Sequence, residues 1–323
     1  MYEWQKQIQT IVDEIDKCIK NYNSEDLTLK SLSNSLGYSE FYMTRKFKEI
    51  AGIQFRDYLR YRKLGFALKE IRDTDRNIVN IAFDYGFSSH EAFTRAFKKA
   101  YGITPTEYRK NPKPVVLRTK ISPFDRYFLG LGEIGMIKST EDIKTYFITI
   151  PAHKFLHIKN YESNGYWDFW EKQSVIEGQD CDTICGLLDS IKGKLDDDEG
   201  SESDASSGQV MAYINDSKGR LCDWGFLRTE CYGVRLPIDY NGEIPPQMQM
   251  IDIPEGEYIV FEHGRFDYEQ EHRSLEEKIE KAMSEFSFED TGYSYDKEEG
   301  RIMYFHFDPE RYWKYIRPVK RVE

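Results

Sequence analysis

Apolar residues recur with the period of a helix through the first 110 positions and with the period of a strand through much of the remainder. Trp4, Ile8, Ile11, Val12, Ile15 and Ile19 share one helical face, and Asn21 and Asn23 end that run. A short helix is predicted over about Leu29–Leu36 with Thr28 as its N-cap, and a second from Ser39 to about Ala51. A longer one, about Phe55–Ile71, carries Leu59, Leu64, Phe66, Ala67, Leu68 and Ile71. Asn77 caps the next short helix, Gly86 turns it, Ser88 or Ser89 caps its partner, and Thr104-Pro105 opens a last helical turn. Asn111-Pro112-Lys113-Pro114 is a stiff, extended break.

Beyond that break, Tyr127–Met136 reads as connecting sequence. Strands are predicted over Tyr146–Ile150, Phe155–Ile158, Val210–Ile214, Trp224–Val234, near Tyr293, over Ile302–Phe307 and within Tyr315–Val322. Helices are predicted over Tyr166–Val175 and Ser274–Phe286. Leu195–Gly208, with four consecutive acids at 196–199 and then serines and glycines, reads as a mobile surface loop.

Two internal repeats organise these elements. From Arg45 or Arg95 onward the spacings agree: Phe at +2, Lys at +3, Gly at +7, Ile at +8 and Tyr at +13. Each copy reads as short helix, glycine turn, serine cap, second helix and glycine stop, the order of a helix-turn-helix. The other repeat pairs Ile148-Thr149-Ile150-Pro151 and Phe155 with Ile251-Asp252-Ile253-Pro254 and Tyr258, an offset of 103. The fold class is therefore multidomain. An all-α tandem helix-turn-helix domain over 1–112 precedes a connecting segment over 113–143. An α+β domain over 144–323, a duplicated strand-helix-strand-strand unit, completes the chain.

Tandem helix-turn-helices imply a protein that reads double-stranded DNA in two major grooves. Met43, Phe47 and Ile50 anchor the first recognition helix, and Phe93 and Phe97 the second. That leaves Glu40, Phe41, Thr44, Arg45 and Lys48 outward in one, and His90, Glu91, Thr94, Arg95 and Lys98 in the other. An arginine fork fits guanine O6 and N7, threonine fits a thymine methyl, and lysine neutralises phosphate. Solvated faces of two amphipathic helices would look similar one at a time; the repeated cap, Thr-Arg pair and spacing favour DNA. Charge sharpens this. Residues 1–113 hold 20 basic and 15 acidic side chains, net +5, whereas the rest hold 25 and 41, net −16, within an overall −11. A basic DNA-facing module is joined to an acidic one that stays off phosphate.

Ile81 to Ser89, followed by Phe93-Thr94-Arg95-Ala96-Phe97-Lys98 and Gly102-Ile103-Thr104-Pro105-Thr106-Glu107-Tyr108-Arg109, closely resembles the signature of AraC/XylS-type transcription regulators. The resemblance covers about residues 5–110. It implies DNA binding by two units on a linker helix, Arg45 and Arg95 at DNA-touching positions, and RNA polymerase as a protein partner. The Ile-x-Ile-Pro repeats, Tyr258 to Gly264, and Asp308-Pro309 with Tyr315-Ile316-Arg317-Pro318-Val319-Lys320 resemble the GyrI-like effector-binding domain over about 144–322. That resemblance implies a small amphipathic, often cationic effector in an aromatic cleft. Relatives carry a glutamate on the strand before the Asp-Pro, but here that strand is Arg301-Ile302-Met303-Tyr304-Phe305-His306-Phe307. Glu230, Glu262 and Asp168 are substitutes that also read as ordinary surface carboxylates.

The candidate effector residues are Tyr166, Trp167, Trp170, Trp224, Phe226, Glu230, Tyr304 and His306, chosen because rings at helix and strand spacings build an aromatic wall. The competing reading makes each ring core. No nucleophile elbow, phosphate loop or dinucleotide fingerprint is present, so no catalytic residue and no cofactor are expected. His153, His157, Cys181 and Cys185 raise a zinc reading, set aside in favour of structural cysteines and surface histidines. A hydrolase of reactive small molecules and a protein-binding module remain the alternatives for the second domain. No apolar run approaches the ~18 residues of a membrane helix and no signal pattern opens the chain, so no membrane partner and a cytoplasmic setting are expected.

Overall fold

The computed structural model describes residues 2–22, 27–35, 37–124, 141–196, 208–222 and 225–322, which fall into two units. The first comprises Met1–Leu131 with Cys185–Lys192, and the second Gly132–Ile184 with Gly193–Glu323.

The first unit holds α1 (Tyr2–Lys20), α2 (Leu29–Ser35), α3 (Glu40–Ala51), α4 (Phe55–Asp73), α5 (Ile78–Asp84), α6 (His90–Tyr101) and α7 (Pro105–Lys110). On α1, Ile8, Ile11, Val12, Ile15 and Ile19 are buried as the periodicity predicts, and Asp16 is buried beside them. Its partner is Arg62 in the middle of α4. Arg62 Nε donates to Asp16 Oδ1 at 2.9 Å, Nη2 donates to Oδ2, and Nη1 donates to the Arg118 carbonyl at 2.7 Å. A fork-to-carboxylate pair is the geometry in which a buried charge is tolerated. α4 packs against α1, α3, α5, α6 and α7, so its buried residues wrap around it rather than forming one stripe.

The unit does not end at the proline break. Val115 and Leu117 are buried in its core, and residues 185–192 join it. A Cβ on Gly186 would lie 2.3 Å from the Leu117 carbonyl oxygen, so only glycine permits this approach. Arg72 Nη1 donates to the carbonyls of Asp189 (3.1 Å) and Ile191 (3.0 Å). The boundary expected at 112 thus differs from the observed division: the prolines stiffen the chain, yet the apolar residues after them still need burial.

The second unit holds β1 (Lys144–Ile150), β2 (His153–Asn160), α8 (Tyr166–Ser174), the start of α9 (Cys181–Ser190), β3 (Gln209–Leu221) and β4 (Leu227–Pro237). After these come β5 (Gln249–Ile253), β6 (Gly256–His263), α10 (Tyr268–Glu285), β7 (Tyr293–Tyr295), β8 (Ile302–Asp308) and β9 (Tyr312–Arg321). The sheet order is β1-β6-β9-β8-β3-β4-β2-β5, with β7 on β9. Exchanging β1 with β5, β2 with β6, β3 with β8 and β4 with β9 reverses this order onto itself. The duplication is therefore a pseudo-twofold about the β3–β8 pair, where Ala212 faces Tyr304 and Tyr213 faces Met303. The first strand of each copy pairs with the other copy, β1 with β6 and β5 with β2. The 103-residue offset aligns β2 with β6 end to end. One face carries Phe155, Ala212, Cys231, Tyr258, Val260, Tyr304 and Ile316, while Phe261, Phe305, Trp313 and α10 pack on the other. The helix α9 has no counterpart in the sequence reading. Tyr127–Met136, and Leu195–Gly208 apart from its first two residues and its last, lie outside the described residues.

We expect Arg62→Met to destabilise the helical unit by about 3–5 kcal/mol, because it strands a buried carboxylate, while Asp16→Leu with Arg62→Met restores most of the loss. Urea denaturation followed by far-UV circular dichroism checks this; equal losses in the single and double variants would contradict it.

Candidate nucleic-acid interface

α3 and α6 are built by the same local rules. Ser39 and Ser89 stand at the N-caps and accept from the backbone N–H of Tyr42 (3.3 Å) and Ala92 (3.1 Å). Gly52 and Gly102 end the helices at φ 69° and 73°, their N–H groups donating to the carbonyls of Lys48 and Lys98. Residues 41–50 and 91–100 show the same succession of exposed, half-buried and buried positions, residue for residue. Met43 and Phe47 in one helix, and Phe93 and Phe97 in the other, hold it to the core.

The ten expected DNA residues accordingly lie off the core. Glu40, Phe41, Arg45, Lys48, Glu91, Arg95 and Lys98 are exposed, and Thr44, His90 and Thr94 are half-buried. Phe41 is 80% exposed, a conspicuous position for a phenyl ring. The two arginines differ in their surroundings. The Arg45 guanidinium lies 5.3 Å from the Tyr42 ring, itself packed on Trp4 and Tyr38, whereas Ala92 stands where Tyr42 would be for Arg95. The threonines differ too: Thr44 donates back to the Glu40 carbonyl at 2.8 Å, while Thr94 Oγ1 has no partner among the described residues. Hydrogen bonds from its own backbone and from Ser89 hold the Glu91 carboxyl below the usual range, which ties it to the start of α6. Val79 and Phe83 are exposed one turn apart on α5, a pair that the sequence marks only by its helical spacing.

The eight candidate effector residues do not form one cleft. Trp170 packs on Tyr232 at 4.9 Å between centroids, with Tyr166 6.3 Å from each. Glu230, two residues before Tyr232 on β4, shares that face. Tyr304 and His306 point from the opposite face, since Tyr304 packs with Cys231 and Cys231 alternates with Tyr232. Phe226 is buried near Tyr295, and Trp224 lies outside the described residues. Glu230 is no surface carboxylate but fully buried, whereas Glu262 pairs with Lys314 and Asp168 with Lys172.

His153 and His157 are likewise buried, not surface residues. Alternation from Phe155 turns both onto the packed face, where His153 Nε2 lies 2.6 Å from the Tyr304 hydroxyl. Burial pushes His157 and His306 down to about 4 and lowers His153 as well. Arg235 grips Asp196 through Nε (2.7 Å) and Nη2 (2.5 Å) and lies 5.3 Å from the Tyr304 ring. Among the described residues, no three His, Cys, Asp or Glu side chains gather to hold a metal ion, and no helix is long and apolar enough to cross a membrane.

Residues 32–111 match the family described as a helix-turn-helix domain. The chain is 35% identical over 102 residues to the transposon Tn10 TetD protein of Escherichia coli, a match covering 32% of this chain and 74% of that one. It is 35% identical over 105 residues to the probable transcription factor PqrA of Proteus vulgaris, covering 32% and 86%. Similarity to the right origin-binding protein of Escherichia coli K12 is 36% over 143 residues, 44% of this chain and 42% of that one.

Arg45→Ala and Arg95→Ala should each cost ~1–3 kcal/mol of discrimination between a selected site and scrambled DNA, with stability changed by less than about 0.5 kcal/mol. Equal losses on both DNAs would assign the arginines to the phosphate backbone. Acid should weaken the second unit. An unfolded histidine takes a proton near 6.5, the buried ones only near 4, so the unfolded state binds more protons in between and stability falls as pH drops. The slope is about 1.4 kcal/mol per pH unit for each such histidine. Near-UV circular dichroism melts at pH 7, 6 and 5 test it; a melting point independent of pH would contradict it.

Proposed function

We propose, from the premise that this chain belongs to the AraC/XylS family of helix-turn-helix transcription regulators, that it is a ligand-responsive regulator. Its helical unit sets α3 and α6 into successive major grooves of one DNA face. The observation that carries this is the residue-for-residue match of exposure along 41–50 and 91–100. Two helices with the same caps, core anchors and outward Thr-Arg-Lys set are suited to the same task twice. Arg45 and Arg95 read base edges, Lys48 and Lys98 neutralise phosphate, and Phe41, Thr44 and Thr94 supply apolar contact. Glu40 and Glu91 sit at helix starts, where a carboxylate either accepts from cytosine N4 or rejects other bases.

The second unit takes the effector role in this reading, as a GyrI-like domain. Its palindromic sheet and the rings at the start of α8 support that role, and its acidity keeps it from competing for phosphate. The reading includes no catalytic step. RNA polymerase is the protein partner consistent with a regulator of this family.

The full chain should select a double-stranded site from random DNA, and its affinity should fall by orders of magnitude between 50 and 200 mM salt as counterions are released. Electrophoretic mobility shift at several salt concentrations measures this. Failure to enrich any site, or an affinity indifferent to salt, would remove the proposal.

A further inference from the structure

The duplicated sheet contains its own control. Under the 103-residue offset Asn160 corresponds to His263, and these face Glu230 and Trp313 across the β2–β4 and β6–β9 pairings. Glu230 and Trp313 therefore occupy equivalent points of the two copies. On the far side Glu230 faces Tyr213, and Trp313 faces Phe307. In the second copy the position is ordinary core, with Trp313 against Phe266, Phe305 and Phe307 at 5.7, 5.4 and 5.2 Å. The fold accepts a large apolar ring there. The first copy instead keeps a carboxylate at 0% exposure, which packing alone does not require and which burial penalises unless its oxygens are fully partnered.

The partnering is half complete. Glu230 Oε1 accepts from the Gly165 N–H at 2.7 Å and lies 3.0 Å from Arg228 Nη2. Oε2 is buried with no hydrogen-bond partner among the described residues, and the same is true of the Trp170 indole N–H. Gly165 caps α8 without a side-chain bond, and Tyr166 and Trp167 in the first turn are each 37% exposed.

We infer that Glu230 is a recognition group, taking through Oε2 the N–H of a neutral, planar aromatic compound seated at the start of α8. This deepens the effector reading of the second unit and rests on it. Arg228 already balances the carboxylate charge, so little is left to select a cation. What remains on this face is an acceptor, Oε2, and two donors, the Trp170 and Arg228 Nε N–H groups, on the side of the sheet that carries the rings of Tyr166, Trp170 and Tyr232. That set matches a flat ring bearing an N–H next to a carbonyl, the chemistry of an aromatic lactam.

Calorimetric titration of the full chain with 2-quinolone, N-methyl-2-quinolone and N-methylquinolinium tests it. 2-Quinolone should bind; blocking its N–H should weaken binding about tenfold or more, and the cation should bind no better than the blocked compound. Glu230→Gln should weaken 2-quinolone by a similar factor with the near-UV spectrum unchanged. If that variant does not fold, Trp170→Phe, which keeps a ring and removes the N–H, should weaken it several-fold. Equal binding of the blocked compound, tighter binding of the cation, or no binding of 2-quinolone overturns the inference. If other compounds in a thermal-shift screen still bind the full chain and quench its tryptophans, only this inference falls; if none does, the effector reading falls with it.

Discussion

The burial of α4 along its length is the constraint on which the helical unit depends. α4 packs against α1, α3, α5, α6 and α7, so Arg62 in its middle and Arg72 in its last turn are buried and need partners inside the protein. Arg62 finds Asp16 and the Arg118 carbonyl, and Arg72 finds Asp73 and two carbonyls of residues 189–191. Each fork ties α4 to a distant part of the sequence. At ~1.5 Å per residue its 19 residues span roughly 28 Å, with one helix-turn-helix held near each end. Both α3 and α6 pack against this one helix, an arrangement that suits the proposed docking in paired grooves at a set separation.

The second unit solves a different problem with a duplicated sequence. Each copy gives its first strand to the other, so neither copy completes its part of the sheet alone. The symmetry makes departures from it informative. The core position that holds the Trp313 ring in one copy holds the Glu230 carboxylate in the other, while the face bearing Tyr304 carries a buried His–Tyr contact and the Arg235–Asp196 fork. Polar groups placed in a sheet core at this cost mark the points where packing is not the whole account.

The helical unit was legible because its signals are local. Serine caps, glycine stops and the Phe-x-x-x-Phe anchors act within one or two turns, and the predicted DNA-facing side chains emerge off the core for that reason. Asp16 was not legible: its partner lies 46 residues away, and a lone acid in an apolar stripe looks like an interruption. The 103-residue repeat was visible, but strand exchange between copies depends on register that no local pattern encodes. The expected aromatic cleft is divided between two faces of the sheet for a simpler reason. Strand alternation fixes which residues of one strand share a face, yet placing Tyr304 relative to Trp170 needs the order β8-β3-β4, which only the sheet supplies. Glu230 and the two histidines read as surface groups because hydropathy assigns charge and imidazole outward by default.

In the proposed complex a single helix, α4, holds α3 and α6 in successive major grooves of the same DNA face. Inserting five base pairs between the two halves of a selected site turns the second groove about half a helical turn away. The full chain, titrated by fluorescence anisotropy, should then bind the altered site no more tightly than a single half-site. An affinity unchanged by the insertion would contradict the account, because only one recognition helix, or a flexible pair, tolerates it.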